Sequence, residues 1–484
     1  MDAMAATTGR LRHAAAPLLA LALAAYLQAS GLFGAAEALA ILACCACAYA
    51  CLRVHGPRRR PESMLIVAGS AIFVLAYVVQ AVLFVKLSRS PATSVVEALK
   101  IRSIFSLAAL GAGTPEIAVS LNVILAGFVG MLAAALLLAR GGRPVAAHPG
   151  FPLAFVANPL TLGYVAIVCT LLFGVLRKVF GLESPTASGL PPGVGGVINI
   201  ASAYIGPNLS FAAFYYALEQ GHQAKARRLA VIAVMLGLFN YVLFTSKLSL
   251  IFPVLFVLAS QYLLQRRVVS TRAMVVLGAT FVLVYPFLNL YRSAIALGIA
   301  PGELLAAVGT MYANQMDNSE VQHGALEVAV SAILGRLVGY DPLLILLQAR
   351  PYPGSLLDYV LYGNLDKFLT YDILDFQDPM GYSPGFLGRL YYISASYAFV
   401  AAMTCTTVWL LGALVRRFWR GSVRLRFMAP LLLAYCLVFF TDGIRVELFR
   451  SLVVSTVFLY WIVRLLGKVR SGAVPAAGAA PRQV

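Results

Sequence analysis

Long runs of apolar residues alternate with short polar segments along this chain, and the apolar runs have the length of membrane-crossing helices. A bilayer hydrocarbon core about 30 Å thick is crossed by roughly 20 helical residues. The pattern therefore predicts an all-α, polytopic integral membrane protein with about 12 transmembrane helices. The predicted spans cover residues 14–32, 35–53, 63–85, 117–139, 153–175, 195–217, 229–246, 248–264, 273–291, 388–413, 427–441 and 447–467.

Positive charge is concentrated in alternate polar segments. The chain holds 37 Lys and Arg against 19 Asp and Glu, a net charge of +18. Most of the basic residues fall in segments on the same side as the N-terminus, among them Arg58 to Arg60 and the cluster from Arg416 to Arg426. Because basic loops remain in the cytoplasm, we predict that both termini are cytoplasmic. These clusters are short and lack interleaved aromatic residues, so they do not indicate nucleic-acid binding.

One polar interruption, residues 292–387, is far longer than the other connections and falls on the outer side, between predicted spans 9 and 10. Loops of this size commonly carry function. We expect three short helices that form a cap lying on the outer membrane surface. They are predicted from Pro301 to Asn314, from Ser319, and from Asp341 to about Arg350, with Asp341 as N-cap and Pro342 in the first turn.

The remainder of the chain is predicted to form one transmembrane domain, residues 1–470, into which residues 292–387 are inserted. Residues 471–484 are rich in Ala, Pro and Gly, and such a composition predicts a disordered cytoplasmic tail.

Basic residues are scarce on the predicted outer side, so their positions are informative. Guanidinium groups bind phosphate oxygens in pairs, and an apolar bundle accepts a lipid chain, so these residues suit a ligand with a diphosphate and a lipid tail. The candidate binding residues are Lys247, Arg292, Arg336, Arg350, Arg389, Arg445 and Arg450.

Arg450 is predicted at membrane depth. If Asp442 caps the last span, Arg450 lies about 12 Å along it, where a charge costs at least about 2.5 kcal/mol and usually marks a functional interior. The alternative is structural, because Glu447 could pair with Arg450 and Asp442 with Arg445.

Several of these residues fall in a pattern of recognisable motifs. Thr245, Ser246 and Lys247 form a polar turn, and Asn289 to Arg292 end a span. The outer segment then carries GRLVGYDPLLILLQARPYPG (335–354) and GYSPGFLGRLYY (381–392), and RVELFRS (445–451) follows near the end. Over residues 190–467 this arrangement resembles the O-antigen and oligosaccharide repeat-unit polymerases of the Wzy type.

The resemblance implies an inverting or retaining glycosyl transfer at the periplasmic face of a bacterial inner membrane. A growing glycan would leave one undecaprenyl diphosphate and join the next lipid-linked repeat, with Arg292, Arg336, Arg350 and Arg389 binding the diphosphate. A chain-length regulator and a flippase are the implied partners, beside membrane lipid. One departure concerns Arg389, because such polymerases commonly have an acidic residue at that position.

The same chemistry requires a base or hydrogen-bond acceptor for the acceptor hydroxyl. We select Glu320 with His323 as one candidate catalytic site and Asp442 as another; His323 is the single histidine on the predicted outer side. Asp372, Asp375 and Asp378 recur every three residues but lack the fixed loop of a cation motif, so a solvated turn is preferred. We therefore expect a metal-independent glycosyltransferase without a cofactor.

Two other functions stay open. An O-antigen ligase shares the lipid-linked substrate and a large outer loop, and such enzymes depend on outer Arg and His. A flippase or exporter of lipid-linked oligosaccharide would need charged residues along several spans, yet predicted spans 1 to 6 carry almost none.

Overall fold

A computed structural model describes eleven continuous ranges of the chain, together with residue 198 and scattered positions between 272 and 299. The ranges are 33–56, 60–89, 112–140, 158–180, 201–244, 247–270, 302–316, 339–348, 385–421, 426–442 and 446–468. Every regular element within these residues is helical. Apart from their ends, helices satisfy their backbone hydrogen bonds internally, as hydrocarbon surroundings demand.

The described helices follow one another with two π-helical turns, Val74–Val79 and Ala201–Ile205, in which the backbone hydrogen bonds join residues five apart. The α-helices are α1 Ala35–His55, α2 Pro61–Phe73, α3 Gln80–Arg89, α4 Thr114–Arg140, α5 Pro159–Val179, α6 Gly206–Glu219, α7 Gln223–Phe244, α8 Lys247–Leu264, α9 Leu304–Met316, α10 Tyr340–Gln348, α11 Phe386–Ser394, α12 Tyr397–Arg420, α13 Ala429–Asp442 and α14 Val446–Lys468.

Five helical stretches in the described part of the chain are long and apolar enough to cross a membrane. They are Ala35–His55, Pro61–Val85, Thr114–Arg140, Pro159–Arg177 and Tyr397–Arg420. The prediction of a helical membrane protein is confirmed at this level. The count of 12 spans stays a prediction, and span 14–32 and the tail 471–484 lie outside the described residues.

Residue choice at the helix starts explains several of these boundaries. Glu37 accepts a hydrogen bond from the backbone N–H of Gly34 at 3.1 Å, which satisfies a group that the first turn of α1 leaves open. Pro61 and Pro159 each occupy the first position of a helix, where a missing N–H costs nothing.

The predicted span 388–413 is not one continuous helix. α11 ends at Ser394, and Ala395 adopts a left-handed conformation with φ 48° before α12 begins at Tyr397. Gly385, just before α11, has φ 70°, a conformation that glycine adopts without strain. α11 is therefore a separate short helix with a sharp turn at each end.

Two of the three predicted helices of the outer segment correspond to α9 and α10; the helix predicted from Ser319 lies outside the described residues. α10 begins at Tyr340, so Asp341 stands in its first turn and is not the N-cap. Residues 340–346 are all buried. α10 does not lie on the surface as a cap, because it packs against α3, α4 and α11.

The chain divides into two compact units. The first comprises Met1–Gly142, Thr271–Ala413 and Leu437–Val446. Its centre is an aromatic cluster around Phe73, whose ring lies 5.4 to 6.2 Å from the rings of Tyr77, Phe128, Phe386 and Phe440. Edge-to-face contacts hold α4 and α13 against α2, and the tilted pair with Phe386 adds α11.

The second unit comprises Arg143–Ser270, Leu414–Cys436 and Glu447–Val484. Phe211 stacks on Phe256 at 4.4 Å, and both lie in its apolar core. Tyr204, in the second π-helical turn, donates a hydrogen bond of 2.9 Å to Ser451, and Tyr435 lies 3.1 Å from Ser455 one turn along α14. These hydroxyl pairs fix the position of α14 within this unit.

Candidate functional site

Arg389 is the predicted site residue whose side chain the structure describes. It lies on α11 and is only 3% exposed. Lys247 begins α8, Asp442 ends α13, and Arg450 lies in the second turn of α14, so Asp442 does not cap the helix that carries Arg450. The other predicted site residues lie outside the described ranges: Arg292, Glu320, His323, Arg336, Arg350 and Arg445.

The π-helical turn after α2 holds the starts of the two short helices. The hydroxyl oxygen of Tyr77 accepts a hydrogen bond of 3.2 Å from the backbone N–H of Leu387, at the start of α11. Gln80 Oε1, three residues further on, accepts one of 3.0 Å from the backbone N–H of Tyr340, the first residue of α10. The π-helical turn and the residue after it therefore supply acceptors to N–H groups at the starts of two buried helices.

The environment of Arg389 is set by the same turn. The guanidinium lies close enough to Tyr77 to interact with it electrostatically. Ser120 of α4 donates a hydrogen bond of 3.1 Å to the hydroxyl oxygen of Tyr340 on α10. A positive charge is therefore held in the interior of the first unit, near the hydroxyl group of Tyr77.

Small residues let the short helices approach the longer ones. A methyl group on Gly339 would collide with the backbone carbonyl of Ala76 in the π-helical turn. At Gly127 of α4, an added methyl group would overlap the side chain of Leu387. Glycine is required at Gly339 because backbone occupies the space of a side chain, whereas at Gly127 the side chain of Leu387 would have to shift.

A cavity of about 290 Å³ lies between the beginning of α4, α10 and α11. Its lining includes Glu116 from α4, Leu343 and Leu346 from α10, and Tyr391 and Tyr392 from α11. The ring of Tyr391 stacks on Tyr397 at 5.4 Å, which limits its movement. The cavity thus combines aliphatic walls with one carboxylate and two phenol rings.

Glu116 has a structural contact of its own. Its Oε2 accepts a hydrogen bond of 2.9 Å from the backbone N–H of Gly113, just before α4. This contact satisfies an open N–H group at the helix start, as Glu37 does for α1. The carboxylate is consequently held in one place at the edge of the cavity.

The cavity lies at one end of the first unit, and a different set of polar contacts marks the other end. α4 has 27 residues and is about 40 Å long. Glu116 lies in its first turn, whereas near its far end the carbonyl oxygen of Ala135 accepts a hydrogen bond of 2.9 Å from the ring of buried His55. Arg60 Nη1 contacts the carbonyl oxygen of Ala139 there at 3.4 Å.

Glu116, Tyr391 and Tyr392 were not selected from the sequence, although Tyr392 closes one of the motifs. A glutamate in a first helical turn is usual, and tyrosines are common at membrane interfaces, so neither residue type stood out. The useful signal was Glu116 as the single acidic residue between 98 and 182.

Metal ligation receives no support from the described residues, where no three His, Cys, Asp or Glu side chains come together. The aspartates at 372, 375 and 378 lie outside those residues. No known family model matches the chain, and no curated protein or solved structure matches it.

Proposed function

We propose that this protein polymerises polyprenyl-diphosphate-linked oligosaccharide repeat units by transferring a glycan from one lipid carrier to the next lipid-linked repeat. The observation that carries the proposal is the burial of Arg389 on a short helix of an apolar bundle, at the end away from His55 and Arg60. The same helix supplies Gly388, Tyr391 and Tyr392 to the cavity.

A buried guanidinium in a membrane protein supports a functional role. Placing such a charge among apolar residues is costly, and arginines kept there usually serve a ligand or an aqueous path. A diphosphate anion suits a guanidinium because their oxygen and nitrogen atoms pair in parallel.

The proposed reaction uses that charge directly. The oxygen of an acceptor hydroxyl forms a bond to the anomeric carbon of the donor, and the bond from that carbon to the phosphate oxygen breaks. The bonding pair leaves with the undecaprenyl diphosphate, where a fixed guanidinium stabilises the added charge. The hydroxyl proton passes to a base, for which Glu320, His323 and Asp442 are the candidates.

The remaining basic residues are proposed to complete the diphosphate site. Four of them, Lys247, Arg292, Arg336 and Arg350, come from the predicted outer side. Arg445 comes from the segment before α14, and Arg450 from the beginning of that helix. We expect Arg336→Ala or Arg350→Ala to abolish polymer at normal membrane levels of the protein. Lysine should rescue poorly, because it lacks the planar fork. Full polymer from both alanine variants would exclude these residues as essential phosphate ligands.

The proposed site faces the periplasm of a bacterial inner membrane, and both termini are proposed to be cytoplasmic. The Arg-rich segments after α1, α4 and α12 support this orientation. A reporter domain that is active only in the periplasm should be active when it is fused within residues 292–387, and a reporter that is active only in the cytoplasm should be inactive there. Activity in the cytoplasm would contradict the proposal, because the flipped substrate is available outside.

Deletion of the gene tests the function. Cell-surface glycan should then carry single repeats, which a gel of lipopolysaccharide or capsule resolves from long chains. Long chains left on the lipid carrier would indicate a ligase instead, and repeats left facing the cytoplasm would indicate a flippase. Unchanged glycan would contradict all three functions.

A further inference from the structure

We infer that the cavity between α4, α10 and α11 is a sugar-binding subsite, which holds one pyranose ring of the lipid-linked oligosaccharide, with Glu116 accepting its hydroxyl groups and Tyr391 and Tyr392 contacting its ring. This inference rests on the proposed function and adds the part of the substrate that the cavity recognises. Three kinds of occupant are compatible with a lipid-linked glycan: a phosphate, an acyl or prenyl chain, and a sugar.

A phosphate does not suit the cavity. Its described lining has one carboxylate and no Lys or Arg. An anion beside Glu116 would face like charge without compensation from a cation in the lining. The diphosphate therefore belongs elsewhere in the proposed site, with the arginines.

A hydrocarbon chain does not suit the cavity either. Glu116 lines it, and its carboxylate is fixed by the N–H of Gly113. An acyl or prenyl chain in the cavity would displace water from that carboxylate without giving it a hydrogen-bond donor, which is costly for an ionised group.

A sugar ring satisfies both parts of the lining. Its hydroxyl groups donate hydrogen bonds to the carboxylate, and charge-assisted bonds of this kind are strong. Its apolar C–H face packs on aromatic rings, and the stack of Tyr391 on Tyr397 holds one ring ready. A volume of about 290 Å³ is at the small end for ligand pockets and accommodates one ring rather than a chain of repeats.

The subsite is tested by photo-crosslinking in the host cells with the full-length protein. Leu347, which lines the cavity, is replaced by a diazirine analogue of leucine, and the near-equal volume leaves the cavity open. The control carries the analogue at Leu39 of α1, which is 63% exposed. After illumination, mass spectrometry should find adducts that contain sugar residues at position 347 and lipid adducts at position 39. Lipid adducts alone at position 347, or no adduct there, would overturn the subsite.

Variants link the adduct to named side chains. Glu116→Gln keeps an oxygen for the N–H of Gly113 but loses the charge, so the helix start is retained while sugar binding weakens. Tyr391→Phe keeps the ring and should retain the adduct, whereas Tyr391→Leu should lose it. Glu303→Gln, an exposed carboxylate before α9, is the matched control and should change nothing.

Kinetics with purified protein in liposomes give a second readout. Glu116→Gln should raise the KM for the lipid-linked repeat about ten- to hundredfold, the effect expected for one hydrogen bond to a charged group. An unchanged KM would overturn the role of Glu116. Sugar adducts in a protein that makes no polymer would refute the polymerase function and keep the subsite. Polymer without sugar adducts would refute the subsite and keep the polymerase function.

Discussion

Gln80 Oε1 accepts a hydrogen bond of 3.0 Å from the backbone N–H of Tyr340, a residue 260 positions further along the chain. One turn earlier, Tyr77 does the same for Leu387. The π-helical turn Val74–Val79 and the residue after it therefore cap both short helices that border the cavity. Without the side chains of Gln80 and Tyr77, this turn would offer no acceptor to the N–H groups at the starts of α10 and α11.

The contact between Gln80 and Tyr340 is expected to stabilise the first unit. Gln80→Leu removes the acceptor of a buried N–H group and should lower the free energy of unfolding by about 1 to 3 kcal/mol. Gln348→Leu, at the exposed end of α10, is the control and should change the free energy of unfolding by less than about 0.5 kcal/mol. Thermal unfolding of the detergent-solubilised variants compares the two, and equal midpoints would contradict the capping role.

Gly339 is expected to tolerate no side chain. A methyl group there meets the backbone carbonyl of Ala76, which cannot move aside as a side chain could, so Gly339→Ala should destabilise by about 1 to 3 kcal/mol. Gly309→Ala in α9 meets nothing within 4 Å and should be neutral or stabilise by about 0.5 to 1 kcal/mol. If both variants unfold at the same temperature as the parent, α10 does not pack against the turn as described.

Arg389 is expected to be required for polymer formation. Arg389→Ala removes the buried guanidinium and should abolish long glycan chains, and Arg389→Lys should restore only a small part of them, because the paired hydrogen bonds to phosphate are lost. Arg417→Ala, an exposed arginine in the last turn of α12, serves as the control and should leave chain length unchanged. Chain length is measured on glycan gels, with membrane levels of each variant measured in parallel. Wild-type chains from Arg389→Ala at normal levels would count against the diphosphate site.

His55 is expected to serve structure only, at the opposite end of the first unit. Its Nε2 donates to the carbonyl oxygen of Ala135 at 2.9 Å, and its Nδ1 lies 3.1 Å from Ser63 Oγ. His55→Leu should cost about 1 to 3 kcal/mol of stability, whereas His222→Leu at an exposed turn should cost almost nothing. Per folded molecule, polymer formation should be unchanged. A specific loss of activity without a loss of stability would require a different role for His55.

The long helices could be predicted from the sequence because each carries its own signals. The span predicted at 35–53 is α1, and the basic residues Arg53 and His55 mark its end. The burial of α10 also had a signal that was not used: the run Leu343 to Leu347 is apolar on all sides, and a helix of that composition belongs in an interior rather than on a surface.

Other features had no local signal. The break at Ala395 occurs without glycine or proline at that residue, so the apolar pattern of 388–413 continued across it. The pairing of Gln80 with Tyr340 and the meeting of Glu116 with Tyr391 depend on the tertiary fold, because these partners are hundreds of residues apart. The selection of Arg389 from the sequence stays a prediction, and nothing in the sequence indicated the cavity beside its helix.

We propose that this chain alone joins lipid-linked repeats. The direct measurement uses the purified protein in liposomes with one substrate, the single lipid-linked repeat isolated from cells that lack the gene. We predict products that contain whole numbers of repeats, with one free polyprenyl diphosphate released for every linkage formed, and neither product with Arg389→Ala. Recovery of the intact substrate from liposomes that contain folded wild-type protein would contradict the proposed polymerase activity.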